Sequence, residues 1–326
     1  MVKAAILGYG TVGSGVAEVL SCNQELVANH GAELLRLARE NRCNYFFEAS
    51  VGGGIPIIRP INNCLTAERI VEVSGILNGT TNYILTKMEQ EGMLFEEALG
   101  QAQALGYAER NPEADVEGYD ACRKIAILTS LVAGKTVDFH KIHTEGITGI
   151  DPTDFAYAKK LDATIKLLAV SRETENGYQI SVAPYLLKKE NALAGVNDVF
   201  NAVAVCGNTL GDTMFYGRGA GKLPTASAVV ADVVECARHL QKTVGCLWEE
   251  GEAKVVDFDS QEGRFFVRVS KKARADVEKV FGAVVPVVLD SALEEFAFVT
   301  ESMQEAEFEK CREQIFGFVK KIRIKD

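Results

Sequence analysis

The segment VKAAILGYGTVGSGVAEVL, residues 2 to 20, decides the fold class of this chain. An apolar strand over residues 3 to 7 leads into a glycine-rich turn, and a helix pattern follows. Gly8, Gly10 and Gly13 have the spacing that allows a tight turn, close approach of a pyrophosphate and packing of the helix on the strand. Free N–H groups at the helix N-terminus would bind the pyrophosphate. The segment predicts a dinucleotide-binding α/β domain, with a plain βα turn as the alternative.

Length and charge limit the classes of protein. With 326 residues, 47% of them hydrophobic, the chain is long enough for two or more domains. A net charge of −10 argues against a nucleic-acid or anionic-membrane partner and favours small molecules or protein subunits. Eight cysteines without a Cys-x-x-Cys pair predict reduced thiols. With no charged leader and no long apolar stretch in view, we expect a cytoplasmic protein.

The chain departs from a regular dinucleotide fold after Leu20. Such a fold returns through a second strand to a ribose-binding residue about 20 residues further on. Here Ser21 is followed by a loop and then a helix. One peptide bond cannot replace a strand of several residues at about 3.3 Å each. We therefore expect that a stretch of chain is missing between Leu20 and Ser21.

The remaining elements follow from local patterns. Strands are predicted over residues 44 to 48 and in RIVEVSGI, YQISVAPYLL and NAVAVCG, and a long helix from Pro224. Residues 151 to 173 place apolar side chains at 155, 158, 161, 165 and 168, which predicts an amphipathic helix of about five turns. Residues 241 to 263 are polar and acidic, typical of a linker. From Gly263 the order βαββαβ predicts a small ferredoxin-like domain.

The chemistry is concentrated in GYAERNPEADVEGYDACRKIAIL, residues 106 to 128. Asp120 and Lys124 are four residues apart on one helix face, and the helix continues with apolar residues. A desolvated lysine beside carboxylates suits proton transfer, and further carboxylates suit an amino-acid-like substrate that carries an ammonium group. A solvated acidic loop before a helix is the alternative. The acids of the segment are Glu109, Glu113, Asp115, Glu117 and Asp120.

Other catalytic patterns are weak. His140 and His143 have the spacing of a ligand pair, but the sequence offers no third ligand, which favours a loop pair. There is no Gly-x-Ser-x-Gly elbow for a serine nucleophile.

Several blocks in a fixed order resemble the homoserine dehydrogenase family, over residues 1 to about 240. They are GYGTVGSGV, NQELVANHGAELL, FEASVGGGIPIIRP, GILNGTTNYIL, residues 106 to 128 and GDTMFYGRGAGKLPTASAVV. The resemblance implies interconversion of aspartate semialdehyde and homoserine with NAD or NADP. It also implies a Rossmann-type nucleotide-binding domain (1–57 and 205–240), a catalytic and dimerisation domain (58–204) and, after the linker, an ACT-like domain (264–326).

The resemblance also assigns roles to residues. Lys124 would shuttle the proton with Asp120 as its partner. Glu109 and Asp115 would bind the amino and hydroxyl ends of the substrate, in a pocket formed with Tyr107, Gly79 and Thr80. The cofactor would contact Gly8, Gly10, Thr11, Val12, Gly13, Gly106, Gly219 and Gly221. Glu48, Val51, Gly53 and Ile55 would bind Na⁺ or K⁺, mostly through backbone oxygens. A homodimer or homotetramer is implied.

Three departures from the family pattern keep alternatives open. The family carries its ribose-binding residue in the stretch missing after Leu20. It usually has lysine where this chain has Gln24. The segment SKKARAD lacks the Asp-x-x-Gly turn usual in ACT modules. The alternative function is a catalytically weakened relative that senses an amino acid. Aspartate semialdehyde dehydrogenase is a further alternative, but its thiol nucleophile and nearby histidine do not fall in the matched blocks.

Overall fold

The computed structural model describes residues 24–240, 242–246, 248–289 and 294–325. The predicted glycine turn and the Leu20–Ser21 junction lie outside these residues. The helices are α1 Gln24–Glu40, α2 Gly79–Glu91, α3 Phe95–Ala104, α4 Glu113–Val116, α5 Tyr119–Ala133, α6 Pro152–Lys160, α7 Lys222–Arg238, α8 Arg274–Phe281 and α9 Glu305–Arg312. The strands are β1 Ile70–Ile76, β2 Lys135–Thr136, β3 His143–Thr144, β4 Ala163–Thr174, β5 Gly177–Lys188, β6 Phe200–Gly207, β7 Gly211–Arg218, β8 Glu249–Glu252, β9 Glu262–Ser270, β10 Glu295–Val299, β11 Met303–Gln304 and β12 Phe318–Lys325.

One mixed sheet runs through the described residues. Its strand order is β10-β9-β12-β5-β4-β1-β6-β7, with β11 beside β9 and β3 beside β5. The long hairpin of β4 and β5 forms its centre, and the β12–β5 and β3–β5 pairs are parallel. Helices α2, α5 and α6 pack on β4, so the main core lies between this sheet and those helices. The predicted α/β fold class is confirmed.

The long helix predicted over residues 151 to 173 is wrong. Helix α6 ends at Lys160 and β4 begins at Ala163, because Asp162 adopts a positive φ of 50° that ends the helix. Residues 163 to 169 are buried on both faces. A strand that is buried on both faces reads as a continuous apolar run, so its apolar positions also fit a helical spacing.

The strand predicted over residues 44 to 48 is also wrong. The described chain there is irregular and then forms a short 3₁₀ turn, Glu48–Ser50. The Glu48 carboxylate accepts hydrogen bonds from the N–H groups of Ile57 and Ile58, at 2.6 and 2.8 Å. These bonds hold the loop from Glu48 to Ile58.

Helix α5, which carries Asp120 and Lys124, is bounded by glycines. Gly118 and Gly134 have φ of 81° and 67°, a left-handed conformation that glycine adopts without steric cost. Between them, residues 124 to 131 are buried throughout. The two glycines therefore mark the ends of α5, and the middle of the helix is buried in the core.

The residues predicted as a ferredoxin-like domain have the strand order of that fold. Strands β12, β9 and β10 are neighbours, and Val287 bridges to Ala297 on β10 in place of the predicted strand VPVVLD. Helices α8 and α9 lie over a core of their own that contains Phe265, Phe298 and Phe308. Because β12 also pairs with β5, the sheet continues into the rest of the molecule. The domain boundaries themselves stay a prediction.

The stretch predicted as a linker is mostly exposed where the structure describes it, but it contains buried residues such as Trp248. Trp248 is fully buried, with its ring on Gly31 of α1, where an added Cβ would lie 2.5 Å from the ring. Strand β8 pairs with β2. The linker assignment stays a prediction. No described helix is long and apolar enough to cross a membrane.

Candidate active site

Lys124 lies at the centre of a polar cluster between α5 and the end of β1. Its side chain is buried, and Nζ donates to Asp120 Oδ2 at 2.7 Å and to the carbonyl oxygen of Leu77 at 2.9 Å. Leu77 follows the last residue of β1. The ammonium group is therefore held at the carboxyl end of β1, beside the loop that leads into α2.

Asn78 joins the two carboxylates of this cluster. Its Nδ2 donates to Asp115 Oδ1 at 2.7 Å and to Asp120 Oδ2 at 2.8 Å. Its Oδ1 accepts from the N–H of Thr81 at 2.9 Å, which makes it the N-cap of α2. The sequence analysis missed Asn78. Its position between a strand and a Gly-Thr-Thr helix start is an N-cap signal that would have drawn attention to it.

The cluster contains more carboxylate than cation. Burial, and next the nearby charge of Asp120, raise the pKa of Asp115, while the hydrogen bond from Asn78 and the charge of Lys124 oppose this shift. Lys124 donates a hydrogen bond to Asp120, and Asp115 feels the same ammonium group only through its charge. A ligand that brings a positive charge would relieve the repulsion between the carboxylates.

The predicted substrate pocket is only partly assembled around this cluster. Thr80 Oγ1 donates to the carbonyl oxygen of Tyr107 at 2.7 Å, which ties the start of α2 to the loop after α3. Gly79 lies so close to Val199 that an added Cβ would be 2.9 Å from its carbonyl oxygen. Glu109 is exposed, and its described hydrogen bond is made by its backbone oxygen. The structure therefore brings Gly79, Thr80 and Tyr107 to the site and leaves Glu109 at the surface.

Two glycine loops meet beside β6. An added Cβ at Gly53 would lie 2.2 Å from the carbonyl oxygen of Gly219, and one at Gly219 would lie 2.0 Å from Nδ2 of Asn201. The Asn201 side chain is buried, and both polar atoms lack a hydrogen-bond partner among the described residues. Gly221, with φ of 112°, leads directly into α7. The sequence analysis missed Asn201, and no local pattern marks it.

These loops fit a nicotinamide cofactor. An unpartnered buried amide is costly unless something completes its hydrogen bonds. Asn201 lies against Gly219, which the sequence predicts as a cofactor contact, and a glycine loop at a helix N-terminus suits a phosphate or a carboxamide. Gly106, another predicted contact, has a positive φ of 75° at the end of α3. The predicted contacts Gly8, Gly10, Thr11, Val12 and Gly13 lie outside the described residues.

The loop predicted to bind a monovalent cation is organised by Glu48. Both of its carboxylate oxygens are engaged, since Oε1 accepts from Ile57 and Ile58 and Oε2 accepts from the N–H of Arg59 at 3.0 Å. Arg59 also pairs with Asp232, whose pKa burial raises to about 6. Among the described residues, no group of three or more His, Cys, Asp or Glu could hold a metal. A cation site of backbone oxygens at Val51, Gly53 and Ile55 stays a prediction.

Helix α1 approaches the same region. It begins at Gln24, and Glu25 Oε2 lies 3.9 Å from Nη2 of Arg123, the neighbour of Lys124. The first turn of α1 is therefore close to the start of α5. Gln24 brings no positive charge to this side of the site.

The comparisons with known proteins define an α/β oxidoreductase. The family model described as homoserine dehydrogenase matches residues 56–234. The chain therefore belongs to the homoserine dehydrogenase family, as the sequence blocks predicted.

Individual relatives agree with this assignment. The chain is 38% identical over 309 residues to the homoserine dehydrogenase of Bacillus subtilis (strain 168), a match that covers 89% of this chain and 71% of the relative. A crystal structure of a homoserine dehydrogenase from Thiobacillus denitrificans matches with a TM-score of 0.87 at 31% identity, covering 98% of this chain and 80% of that one. A hyperthermophilic archaeal homoserine dehydrogenase in complex with NADPH matches with a TM-score of 0.57 at 30% identity, over 69% of each chain. The chain spans about half the length of other curated relatives, with 51% coverage for three of them.

Proposed function

We propose that this chain interconverts L-aspartate 4-semialdehyde and L-homoserine with NADP or NAD. The observation that carries the proposal is the buried Lys124 ammonium group, which Asp120 and the Leu77 carbonyl hold at the end of β1. Membership of the homoserine dehydrogenase family supports the choice of substrate. In a biosynthetic setting, this step leads toward threonine, methionine and isoleucine.

A nicotinamide cofactor would be held by the loop of Gly219 and Gly221 together with Gly106. When bound, it supplies the hydride that the aldehyde carbon of the substrate receives. The archaeal relative solved with NADPH supports a cofactor of this kind.

Lys124 acts as the general acid. It donates a proton to the substrate oxygen as that oxygen gains negative charge, and in the reverse direction it takes the proton from the hydroxyl group. Asp120, hydrogen-bonded to Nζ at 2.7 Å, orients the ammonium group and balances its charge. Proton transfer of this type is typically worth ~10²–10⁴-fold in rate.

The carboxylates bind the amino end of the substrate. Asp115 is the strongest candidate, because it is partly buried, lies beside Thr80 and is held by Asn78 at 2.7 Å. Glu109 would reach the substrate from the surface loop after α3. Gly79 and Tyr107 complete the pocket wall.

The remaining parts of the proposal concern the whole protein. A Na⁺ or K⁺ ion at Glu48, Val51, Gly53 and Ile55 would hold the glycine loop that contacts Gly219. We also propose a cytoplasmic homodimer or homotetramer. The C-terminal residues would form an ACT-like domain.

The proposal is tested by following NADPH or NADH consumption with aspartate semialdehyde, against a control without the aldehyde. Cofactor binding is measured in parallel by cofactor fluorescence. We expect aldehyde-dependent consumption. Cofactor binding without turnover would instead favour a catalytically weakened relative that senses an amino acid.

A further inference from the structure

An ion pair between a buried arginine and a partly exposed glutamate links the C-terminal strand to the segment that follows β3. Arg323 of β12 donates from Nη1 to Glu145 Oε1 at 2.9 Å and from Nε to Glu305 Oε1 at 2.6 Å. His143 Nε2 lies 2.6 Å from the same oxygen of Glu145. Although burial alone would raise it, the pKa of Glu145 is lowered to about 2 by the hydrogen bond from His143 and the charge of Arg323. The pair is therefore ionised across the range in which the protein works.

Ion pairs also hold the other end of the segment that begins at Glu145, at Asp151 and Asp154. Lys320 of β12 bonds to Asp151 at 3.0 Å and to Asp154 at 2.5 Å, and Arg268 of β9 bonds to Asp154 at 2.5 Å. Asp154 is fully buried. Residues 145 to 154 are thus fixed at both ends by cations from the C-terminal strands.

The fixed segment rests directly on α4, the helix that carries Asp115. The N–H of Ile147 donates to the carbonyl oxygen of Val116 at 2.8 Å. At Gly146 an added Cβ would lie 2.3 Å from that same oxygen, so the two backbones are in contact. Val116 is the next residue after Asp115. An unbroken chain of contacts therefore runs from Arg323 through Glu145 and Ile147 to Asp115.

We propose that Arg323 and Glu145 are positioning residues that set the place of Asp115 relative to Asn78 and Lys124. The functional part rests on the proposed role of Asp115 in binding the substrate ammonium group. The hydrogen bonds of Glu145 to Arg323 and His143 hold the start of the segment that bonds to α4. Helix α4 has only four residues, so it depends on such outside contacts for its position.

A second ion pair from the same strand serves as a matched control. Lys325 of β12 bonds to Glu72 at 2.6 Å, and both side chains are mostly buried. Glu72 lies near the start of β1, away from Leu77 and Asn78. Loss of this pair removes a comparable contact of β12 without touching residues 145 to 147.

The experiment compares Arg323→Ala, Arg323→Lys and Lys325→Ala in the full chain. Hydrogen–deuterium exchange of residues 113 to 118 measures the position of α4 without any ligand, and calorimetric titration measures the dissociation constant of homoserine. In Arg323→Ala we expect faster exchange in these residues and an affinity about three- to tenfold weaker. Arg323→Lys should fall in between, and Lys325→Ala should match the wild type.

Three results would each overturn the proposal. The first is unchanged exchange in Arg323→Ala, and the second is an equal change in Lys325→Ala. The third is faster exchange in Arg323→Ala with an unaltered affinity for homoserine. If Arg323→Ala does not fold, Glu145→Gln removes the charge at nearly constant shape and gives the same readouts. A wild type that does not bind homoserine contradicts the proposed function, whereas the exchange data still decide the positioning of α4.

Discussion

Two buried lysines in this molecule have similar surroundings and different partners. Lys124 on α5 and Lys166 on β4 each donate to a backbone carbonyl oxygen, that of Leu77 at 2.9 Å and that of Val196 at 2.7 Å. Lys124 also meets the carboxylate of Asp120, whereas the side-chain partners of Lys166 are neutral amide oxygens of two asparagines. Burial lowers the pKa of Lys166 to about 8.

The difference teaches that burial of a lysine does not by itself mark a catalytic site. Lys166 is enclosed in the centre of the sheet, where it connects β4 to the loop at Val196. Lys124 lies at the end of a strand, next to loops and to carboxylates that can bind a charged substrate. The nearby carboxylates, rather than burial, distinguish Lys124, the proposed catalytic lysine, from Lys166.

The largest expected effect is that of Lys124→Ala. Loss of the proton donor should lower kcat by ~10²–10⁴-fold. Cofactor affinity should stay nearly constant, since Lys124 bonds to Asp120 and Leu77 and not to the glycine loops. Steady-state rates and cofactor-fluorescence titration measure the two quantities. An unchanged kcat would remove Lys124 from the mechanism.

Lys166→Met tests whether Lys166 affects the free energy of unfolding rather than catalysis. The folded-state pKa of Lys166 is about 8 and its ordinary value is 10.5, so between these values the unfolded state binds more protons. The free energy of unfolding of the wild type should therefore rise with pH over this window, by up to ~3 kcal/mol. Below about pH 8 the cost of the buried charge is fully present.

Denaturant unfolding at several pH values from 8 to 10.5 measures this rise. Lys166→Met should lack it, and other titrating groups cancel in the difference between the two proteins. Its kcat should be close to that of the wild type. A kcat loss as large as that of Lys124→Ala would contradict the distinction between the two lysines.

Asp115→Asn tests whether a carboxylate near Lys124 binds the ammonium group of the substrate. The amide keeps an acceptor for Asn78 but removes the charge, so homoserine affinity should fall by about ten- to a hundredfold, the usual range for a charge-assisted hydrogen bond. Because burial and Asp120 raise the pKa of Asp115, wild-type affinity should decline with falling pH sooner than for an ordinary aspartate. The affinity of Asp115→Asn for homoserine should lack this pH dependence.

Calorimetric titration of homoserine across pH checks both statements. Glu113→Gln is the matched control, since Glu113 is an exposed acid on the same helix. An equal loss in both variants would show a general charge effect rather than a specific contact.

The local parts of the site were predictable from sequence, and the long-range parts were not. Asp120 and Lys124 share one helix turn, so their spacing alone brings them together. Asn78 meets Asp115 and Asp120 from another element, and sequence spacing carries no information on that contact. The segment 151 to 173 failed for a related reason, since one apolar rhythm spans a helix and a buried strand that are separated by Asp162.

The buried position of Trp248 makes its fluorescence a reporter of the packing of α1. It is the sole tryptophan of the sequence, its indole Nε1 donates to Thr136 Oγ1 at 3.1 Å, and its ring covers Gly31 in the middle of α1. Separation of α1 from the molecule would expose this ring to water and shift its emission maximum to longer wavelength. The docking of the helix that begins beside Arg123 can therefore be followed optically without attaching a label.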